Sequence, residues 1–124
     1  MFSRNDVRKF MLASGQTELG YGDQADLYLN LITEEYLELL YAFEHRDIVE
    51  IADACADLKW VIEGLEHTLE LPQQQIWDEV ARSNLSKISE DGTVLRREDG
   101  KILKPEGWTP PDIATIIVQH DIEH

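Results

Sequence analysis

Two groups of carboxylate side chains recur at helical spacing in the first half of the sequence. Their members are Glu34, Glu35 and Glu38, followed by Glu50, Asp53 and Asp57. Residues three and four positions apart share a helix face, so each group can direct its oxygens towards one place. Carboxylate oxygens arranged in this way suit a hard divalent cation. The spacing therefore predicts a metal site shared by two helices.

The acids lie beside apolar stripes on both predicted helices. On a helix over about residues 23–45, the stripe comprises Leu29, Ile32, Tyr36, Leu39, Leu40 and Phe43. On a helix over about residues 47–70, it comprises Ile48, Ile51, Ala52, Cys55, Leu58, Ile62 and Leu65. Partly buried carboxylates that face each other repel unless a cation neutralises them. The alternative is a pair of amphipathic helices with solvated acids, but ligand sets on facing helices of bundles favour the metal interpretation.

The elements that position these acids are mainly helical. The short connection at residues 45–47 predicts that the two acidic helices are antiparallel neighbours. Ser3 and Gly15 are predicted to bound a first helix, Asp23 to cap the second, and Pro72 to begin a fourth that runs to about residue 87. We therefore expect one all-α domain over residues 1–124, a four-to-five-helix bundle with its core over about 3–87.

The last part of the sequence, about residues 88–124, has a different texture. Turn signals flank residues 93–97 and 101–104, which are predicted to form a small hairpin. The apolar run at 113–118 fits either a helical turn or a strand, and both interpretations stay open. Five basic residues concentrate in this part and at the end of the preceding helix, namely Lys87, Arg96, Arg97, Lys101 and Lys104. They indicate either a polyphosphate ligand or a solvated hairpin edge protected by charge. Trp108 is expected to cover the core or to stack on a base, and we assign the first role.

Composition excludes several classes of protein. The 124 residues carry a formal net charge of -14, from 25 acidic and 11 basic side chains, which argues against a nucleic-acid partner. The single cysteine, Cys55, is expected to pack as a small hydrophobe and excludes an intrachain disulfide. Neither a secretory core nor an apolar run of membrane-spanning length occurs, so we expect a cytoplasmic protein with no membrane partner. The sequence also lacks a glycine-rich phosphate loop and the Glu-x-x-His pairs of di-iron bundles.

Several segments in a fixed order resemble one known superfamily. They are LITEEYLEL at 31–39, IADACADL at 51–58, DEVARSNLSK at 78–87, DGK at 99–101 and PPDI at 110–113. Together they are similar to the all-α nucleoside triphosphate pyrophosphohydrolases, in the branch of the MazG-like and phosphoribosyl-ATP pyrophosphohydrolase-like proteins. The resemblance implies a MazG-type helical bundle with a small C-terminal extension. It also implies cleavage of a nucleotide between its α and β phosphates with Mg²⁺ or Mn²⁺, in a homodimer or homotetramer.

The resemblance also implies roles for individual residues. Glu35 and Glu38 correspond to metal ligands, and Glu34 to the residue that positions or deprotonates the attacking water. Asp57 matches a further ligand, but the glutamate expected three residues before it is Ala54 here. We therefore assign Asp53 as its partner, with Glu50 as an alternative ligand. The residues implied to contact substrate are Asn84, Lys87, Lys101 and Lys104, and Trp108 is kept as a further candidate through the stacking role named above. In the last loop, Lys104-Pro-Glu replaces the family's Lys-Gly-Pro.

These observations predict a metal-dependent nucleoside triphosphate pyrophosphohydrolase that releases pyrophosphate and a nucleoside monophosphate, with a housekeeping role in the nucleotide pool. One alternative is the hydrolysis of phosphoribosyl-ATP in histidine biosynthesis, which would use the same acids. The other alternative is a non-catalytic helical module whose acidic face binds a basic partner.

Overall fold

The computed structural model describes residues 4–123 of the chain, and side chains over residues 5–123. Five helices follow one another in that range: α1 (Arg4–Ala13), α2 (Asp23–Glu44), α3 (Ile48–Thr68), α4 (Gln73–Leu85) and α5 (Ile113–Glu123). The all-α prediction is confirmed, since the described residues contain helices and no strand. Ser3, the predicted cap of α1, lies outside these residues. Within the same range, each helix is too short or too polar to cross a membrane.

The described residues group into two compact units, one ending at Leu71 and the other beginning at Pro72. The first contains α1, α2 and α3. The second contains α4, α5 and the segment between them, where antiparallel bridges pair Ile88 with Val94 and Arg96 with Ile102. The second bridge lies within the predicted hairpin. The apolar run at 113–118, for which two interpretations were open, is part of α5. A single domain over the whole chain stays a prediction.

Helices α2 and α3 form an antiparallel hairpin around a very short turn. Arg46 has a positive φ of 54° in this turn, and Asp47 caps α3 by accepting a hydrogen bond from the backbone N–H of Glu50 at 3.1 Å. At the far end of the hairpin, the side chain of Gln24 on α2 donates to Thr68 Oγ1 on α3 at 2.9 Å. These two fixed ends set the register in which the acidic segments of α2 and α3 meet.

Close approach between the two helices depends on Gly64. A Cβ atom at this position would lie 2.0 Å from Cε1 of Tyr28, a distance that real structures do not tolerate. Tyr28 is only 2% exposed, and its hydroxyl donates to Oε1 of Gln16. Burial raises the pKa of the Tyr28 phenol. Around this ring pack Val7 and Met11 of α1, which with Tyr28 form the centre of the core.

The start of α2 is held by side chains rather than by the predicted Asp23 cap. Gly22 occupies the N-cap position, and Asp23 is the first helical residue, where its negative charge favours the helix dipole. The backbone N–H of Gln24 donates to Glu18 Oε1 at 3.3 Å, while the backbone N–H of Glu18 donates to Gln24 Oε1 at 3.1 Å. This reciprocal pair satisfies an N–H of the first turn of α2, as a capping box does.

The buried faces of α2 and α3 coincide only in part with the stripes predicted from the sequence, of which Ile32 and Leu65 pack against the core. Leu29, Tyr36 and Phe43 of the first stripe are 55%, 51% and 57% exposed, and Cys55 of the second is exposed rather than packed. The fully buried residues on these helices are instead Gln24, Ala25, Tyr28 and Ala42 on α2, and Ala54, Val61, Gly64 and Thr68 on α3. Small residues such as Ala42, Ala54 and Gly64 decide which face is buried, because they let the two helix backbones approach each other. The residues in the same helical columns are buried as a result. Those columns are the ones that carry the acids.

One glutamate on α4 joins this helix to the start of α5 in the second unit. Glu79 accepts hydrogen bonds from the Arg82 guanidinium at 2.7 Å and from the backbone N–H of Asp112 at 2.6 Å. These bonds lower the pKa of the Glu79 carboxyl to about 2. Asp112 in turn caps α5 by accepting from the backbone N–H of Thr115 at 3.1 Å. Glu79 therefore fixes the start of α5 against α4.

Candidate active site

Four of the acids predicted as metal ligands meet where α2 and α3 face each other. Within α2, Glu38 is close enough to Glu35 to raise the pKa of its carboxyl, and within α3, Asp53 raises the pKa of Asp57 in the same way. Across the helix pair, the charges of both aspartates act on Glu35, and the charge of Glu38 acts on Asp57. The structure thus brings together the four acids that a short antiparallel connection was predicted to juxtapose. Their role as ligands stays a prediction.

Glu35 occupies a position in the helix seam where an apolar side chain would ordinarily pack. It lies two helical turns from the buried Tyr28 on one side and from the buried Ala42 on the other. Its Oε2 atom is buried and has no hydrogen-bond partner. Burial, then the hydrogen bond and charge of Glu38 and the charges of the two facing aspartates, raise the pKa of Glu35 to about 7. At neutral pH this carboxyl is close to half protonated.

Asp57 is the corresponding acid on α3. It is half-buried in the column that also contains Ala54, Val61 and Gly64. Burial raises its pKa, with further contributions from the charges of Asp53 and Glu38 and the hydrogen bond to Asp53. The buried Ala54 occupies the position at which the family resemblance implies a glutamate.

The acid cluster suits a divalent cation by its chemistry but is not a closed ligand shell. A buried carboxylate oxygen without a partner and raised pKa values are what desolvated acids show when nothing neutralises them. Oxygen donors of this type are those that Mg²⁺ and Mn²⁺ prefer. Among the described residues, however, no three His, Cys, Asp or Glu side chains are already arranged to hold an ion. The acids are therefore close enough to raise one another's pKa values, but their side chains do not converge on one point.

An open cleft of about 680 Å³ adjoins this cluster at the turn end of the hairpin. Its lining residues are Leu37, Glu38, Tyr41, Ala42, His45, Asp47, Glu50, Asp53 and Ala54. Glu50, the alternative ligand, therefore lies on the same cleft as Glu38 and Asp53. The sequence analysis assigned no binding role to Tyr41 or His45, although they continue the helical spacing from Glu38 to the C-cap of α2. That spacing was the available signal.

Glu34, the predicted water-positioning residue, is placed differently from the other acids. Its side chain is exposed, it does not line the cleft, and it is absent from the groups that act on Glu35 or Asp57. The structure thus leaves Glu34 outside the four-acid cluster, and its catalytic role stays a prediction.

The predicted substrate-binding residues lie in the second unit, where Asn84, Lys87 and Lys104 gather around Trp108. The indole N–H of Trp108 donates to the Ser83 carbonyl oxygen at 2.8 Å. The Nζ atoms of Lys87 and Lys104 lie 5.4 Å and 4.8 Å from the centre of its ring, as cation–π partners. Lys87 Nζ also donates to Asn84 Oδ1 at 3.1 Å. Trp108 thus anchors the end of α4 and supports the two lysines.

Lys101, the fifth predicted substrate contact, lies apart from this group in the turn of the hairpin. Its backbone N–H donates to Asp99 Oδ1 at 3.1 Å, and its side chain is exposed. Asp99 also pairs with Arg97, so the basic character of this hairpin is partly neutralised within the turn itself.

An all-α chain whose paired acids meet across an antiparallel helix hairpin has the architecture expected of a helical hydrolase of nucleotide anhydrides. Residues 16–84 match the family model of phosphoribosyl-ATP pyrophosphohydrolase, and because this is more than half of the chain, the chain belongs to that family. The family lies within the MazG-like all-α NTP pyrophosphohydrolase superfamily. The chain is therefore a nucleotide pyrophosphohydrolase, an enzyme that hydrolyses phosphoric anhydrides. A comparison with curated proteins gave no match.

The matched region contains every predicted acidic ligand. Of the predicted substrate contacts it contains only Asn84, at its last position. The basic residues of the hairpin and Trp108 lie beyond it.

Proposed function

We propose that this enzyme hydrolyses a nucleoside triphosphate between its α and β phosphates, releasing pyrophosphate and a nucleoside monophosphate. The observation that carries the proposal is the meeting of Glu35, Glu38, Asp53 and Asp57 across α2 and α3, inside the region that matches the family. Two of these carboxyl groups, Glu35 and Asp57, are partly desolvated and face further acids, which is costly unless they serve to bind a cation. A housekeeping role in clearing unwanted nucleotides from the cytoplasmic pool is the biological part of the proposal.

The four clustered acids are the proposed ligands of Mg²⁺ or Mn²⁺, and Glu50, which is not among the groups that act on Glu35 or Asp57, is left out of this set. When bound, such an ion neutralises phosphate charge and lowers the pKa of a coordinated water. Glu35 and Asp57 favour binding of the cation, because their raised pKa values indicate that no positive charge compensates these carboxylates. Glu34 is proposed to align the attacking water. Because Glu34 is exposed, the Glu34→Gln variant should keep the fold, and because it would no longer align the water, it should lose turnover. Unchanged turnover would reject this role.

Basic and polar groups of the second unit are proposed to contact the substrate. These groups are Asn84, Lys87, Lys101 and Lys104, which offer an amide and ammonium donors to phosphate oxygens. Trp108 has its N–H and its ring engaged by Ser83 and the two lysines, so we propose that it supports them and does not stack on the base.

We propose that the enzyme works as a homodimer or homotetramer. Large apolar side chains on α2 and α3 are exposed in the single chain, among them Leu29, Phe43, Ile48 and Val49. Exposed apolar surface on this scale marks an interaction face, and a second copy offers a matching one. A nucleic-acid partner is disfavoured by the net charge of -14.

A second candidate substrate is phosphoribosyl-ATP, which the matched family model favours by its description. The test is a panel of nucleoside triphosphates together with phosphoribosyl-ATP, each with Mg²⁺, read by pyrophosphate release and by the monophosphate formed. The Glu38→Gln variant is the control for contaminating activity. Turnover of triphosphates but not of phosphoribosyl-ATP supports the first proposal, and the reverse supports the second. No turnover with any substrate, with or without Mn²⁺, would leave the non-catalytic module as the better account.

A further inference from the structure

The cleft beside the acid cluster contains two stacked rings that the proposed hydrolysis does not use. Tyr41 and His45 lie one helical turn apart, with their ring centres 4.1 Å apart and their planes inclined by 30°. His45 Nδ1 lies 2.8 Å from the Tyr41 carbonyl oxygen. Because a carbonyl oxygen only accepts, Nδ1 carries the proton and the bond holds the imidazole against the phenol ring. The pair is therefore an ordered platform in spite of its position on the surface.

The platform and the acid cluster lie at opposite ends of one cleft. Glu38 and Asp53 line the cleft where it adjoins the cluster, and Tyr41 and His45 line it towards the turn. From position 38 to position 45 the helix rises by roughly 10 Å. The cleft volume of about 680 Å³ lies within the range of sites that hold small molecules. A nucleotide with its phosphates at the acids has room to extend its nucleoside part towards the rings.

The polar groups near the platform are almost all hydrogen-bond acceptors. Glu50 and Asp47 line this part of the cleft, and Asp47 Oδ1 is already engaged by the Glu50 backbone N–H. Carboxylates accept from the exocyclic amino groups of bases, as in the pairing of Glu or Asp with cytosine N4. Against the carbonyl oxygen that uracil or thymine presents at the same position, a carboxylate is repulsive. The carboxylates that line this part of the cleft therefore favour bases with an exocyclic amino group over bases with a carbonyl oxygen at that position.

We infer that the Tyr41–His45 pair stacks on the nucleobase and that Glu50 selects bases bearing an exocyclic amino group, such as cytosine and adenine, over uracil and thymine. This inference rests on the proposed function, because it places the phosphates at the acid cluster. Tyr41 and Glu50 are specificity residues, and His45 positions the Tyr41 ring.

The first experiment compares Tyr41→Ala with Tyr41→Phe, using dCTP and dUTP as substrates and Mg²⁺ as the metal. Stacking of a base on an aromatic ring contributes about 1–3 kcal/mol, so Tyr41→Ala is expected to raise KM for dCTP by roughly 5- to 150-fold. The kcat value should change little, because the phosphates still bind at the acids. Tyr41→Phe keeps a ring and should restore KM to near the wild-type value. Tyr21→Ala is the matched control, since Tyr21 is 95% exposed and lies outside the cleft.

The second experiment tests the choice of base. The wild-type enzyme is expected to prefer dCTP to dUTP in kcat/KM, and Glu50→Gln should reduce that ratio, because an amide both donates and accepts. Equal kcat/KM for the two substrates, or Tyr41→Ala kinetics equal to those of Tyr21→Ala, would overturn the inference while leaving the hydrolase intact. Absence of turnover with every nucleotide would instead overturn the proposed function on which it rests. A loss of kcat in Tyr41→Ala and Tyr41→Phe alike, with KM unchanged, would also count against base stacking.

Discussion

Replacement of Glu35 by glutamine should stabilise the metal-free protein at alkaline pH. The pKa of the Glu35 carboxyl rises from 4.5 to about 7 on folding, mainly through burial. Below about pH 4.5 the group is protonated in both states and contributes nothing. Between about pH 4.5 and 7 only the folded chain holds the proton, so the free energy of unfolding falls as the pH rises, and above that range the loss is complete. Glutamine stays neutral throughout.

The size of the effect follows from the same numbers. A change of pKa from 4.5 to about 7 corresponds to an upper limit of about 3 kcal/mol, and because Glu35 is only half-buried we expect about 1–2 kcal/mol after solvent screening. With a urea m-value of about 1–2 kcal/mol/M, the unfolding midpoint of Glu35→Gln at pH 8 should lie roughly 1 M above that of wild type.

The assay is urea unfolding in EDTA at pH 5 and pH 8, followed by circular dichroism. Glu34→Gln is the matched control, because it changes the neighbouring exposed glutamate and should show the wild-type pH dependence. Equal losses of stability between pH 5 and pH 8 in wild type and Glu35→Gln would refute the assignment of Glu35 as a desolvated acid. In a second arm, Mn²⁺ added at pH 8 should raise the midpoint of wild type more than that of Glu35→Gln, by mass action on the folded state.

Three further predictions concern the helix seam, the chemistry and the second unit. Gly64→Ala should destabilise the protein by about 1–3 kcal/mol, because its Cβ would overlap the buried Tyr28 ring; unchanged thermal unfolding would contradict the close approach. Glu38→Gln should reduce pyrophosphate release at least about 100-fold, while the circular dichroism spectrum is retained. Glu79→Gln should accelerate hydrogen exchange at the Asp112 amide, measured by NMR, because Glu79 accepts that N–H in wild type. In wild type, that protection should persist as the pH falls until it approaches about 2, where Glu79 takes up a proton.

The helices themselves could be predicted from local signals. Asp23, Pro72 and the turn at 45–47 mark boundaries that fall within a few residues of the observed ends of α2, α3 and α4. The juxtaposition of the two acid groups followed from the same turn, because a three-residue connection leaves two long helices little choice but to lie antiparallel. The residues near the helix ends were therefore sufficient to predict both the helix boundaries and the meeting of the acids of α2 and α3.

The choice of buried face could not be predicted in the same way. Both long helices carry apolar residues around much of their circumference, so hydrophobic periodicity alone does not say which column packs inside. The decision depends on where Ala42, Ala54 and Gly64 permit contact, which is a property of the pair and not of either helix. Periodicity favoured the columns with the largest side chains, such as Leu29 and Phe43, and these are exposed in the single chain. The packing of Cys55 was mispredicted for the same reason.

Because Gly64 and Tyr28 are in close contact, substitutions at these two positions should be coupled in evolution, although the positions are distant in sequence. A methyl group at position 64 is tolerable only if the aromatic ring at position 28 has already been replaced by something smaller, and a smaller residue at 28 alone would leave a void. Either single step passes through a less stable intermediate. Homologous chains should therefore exchange these two residues jointly or keep both.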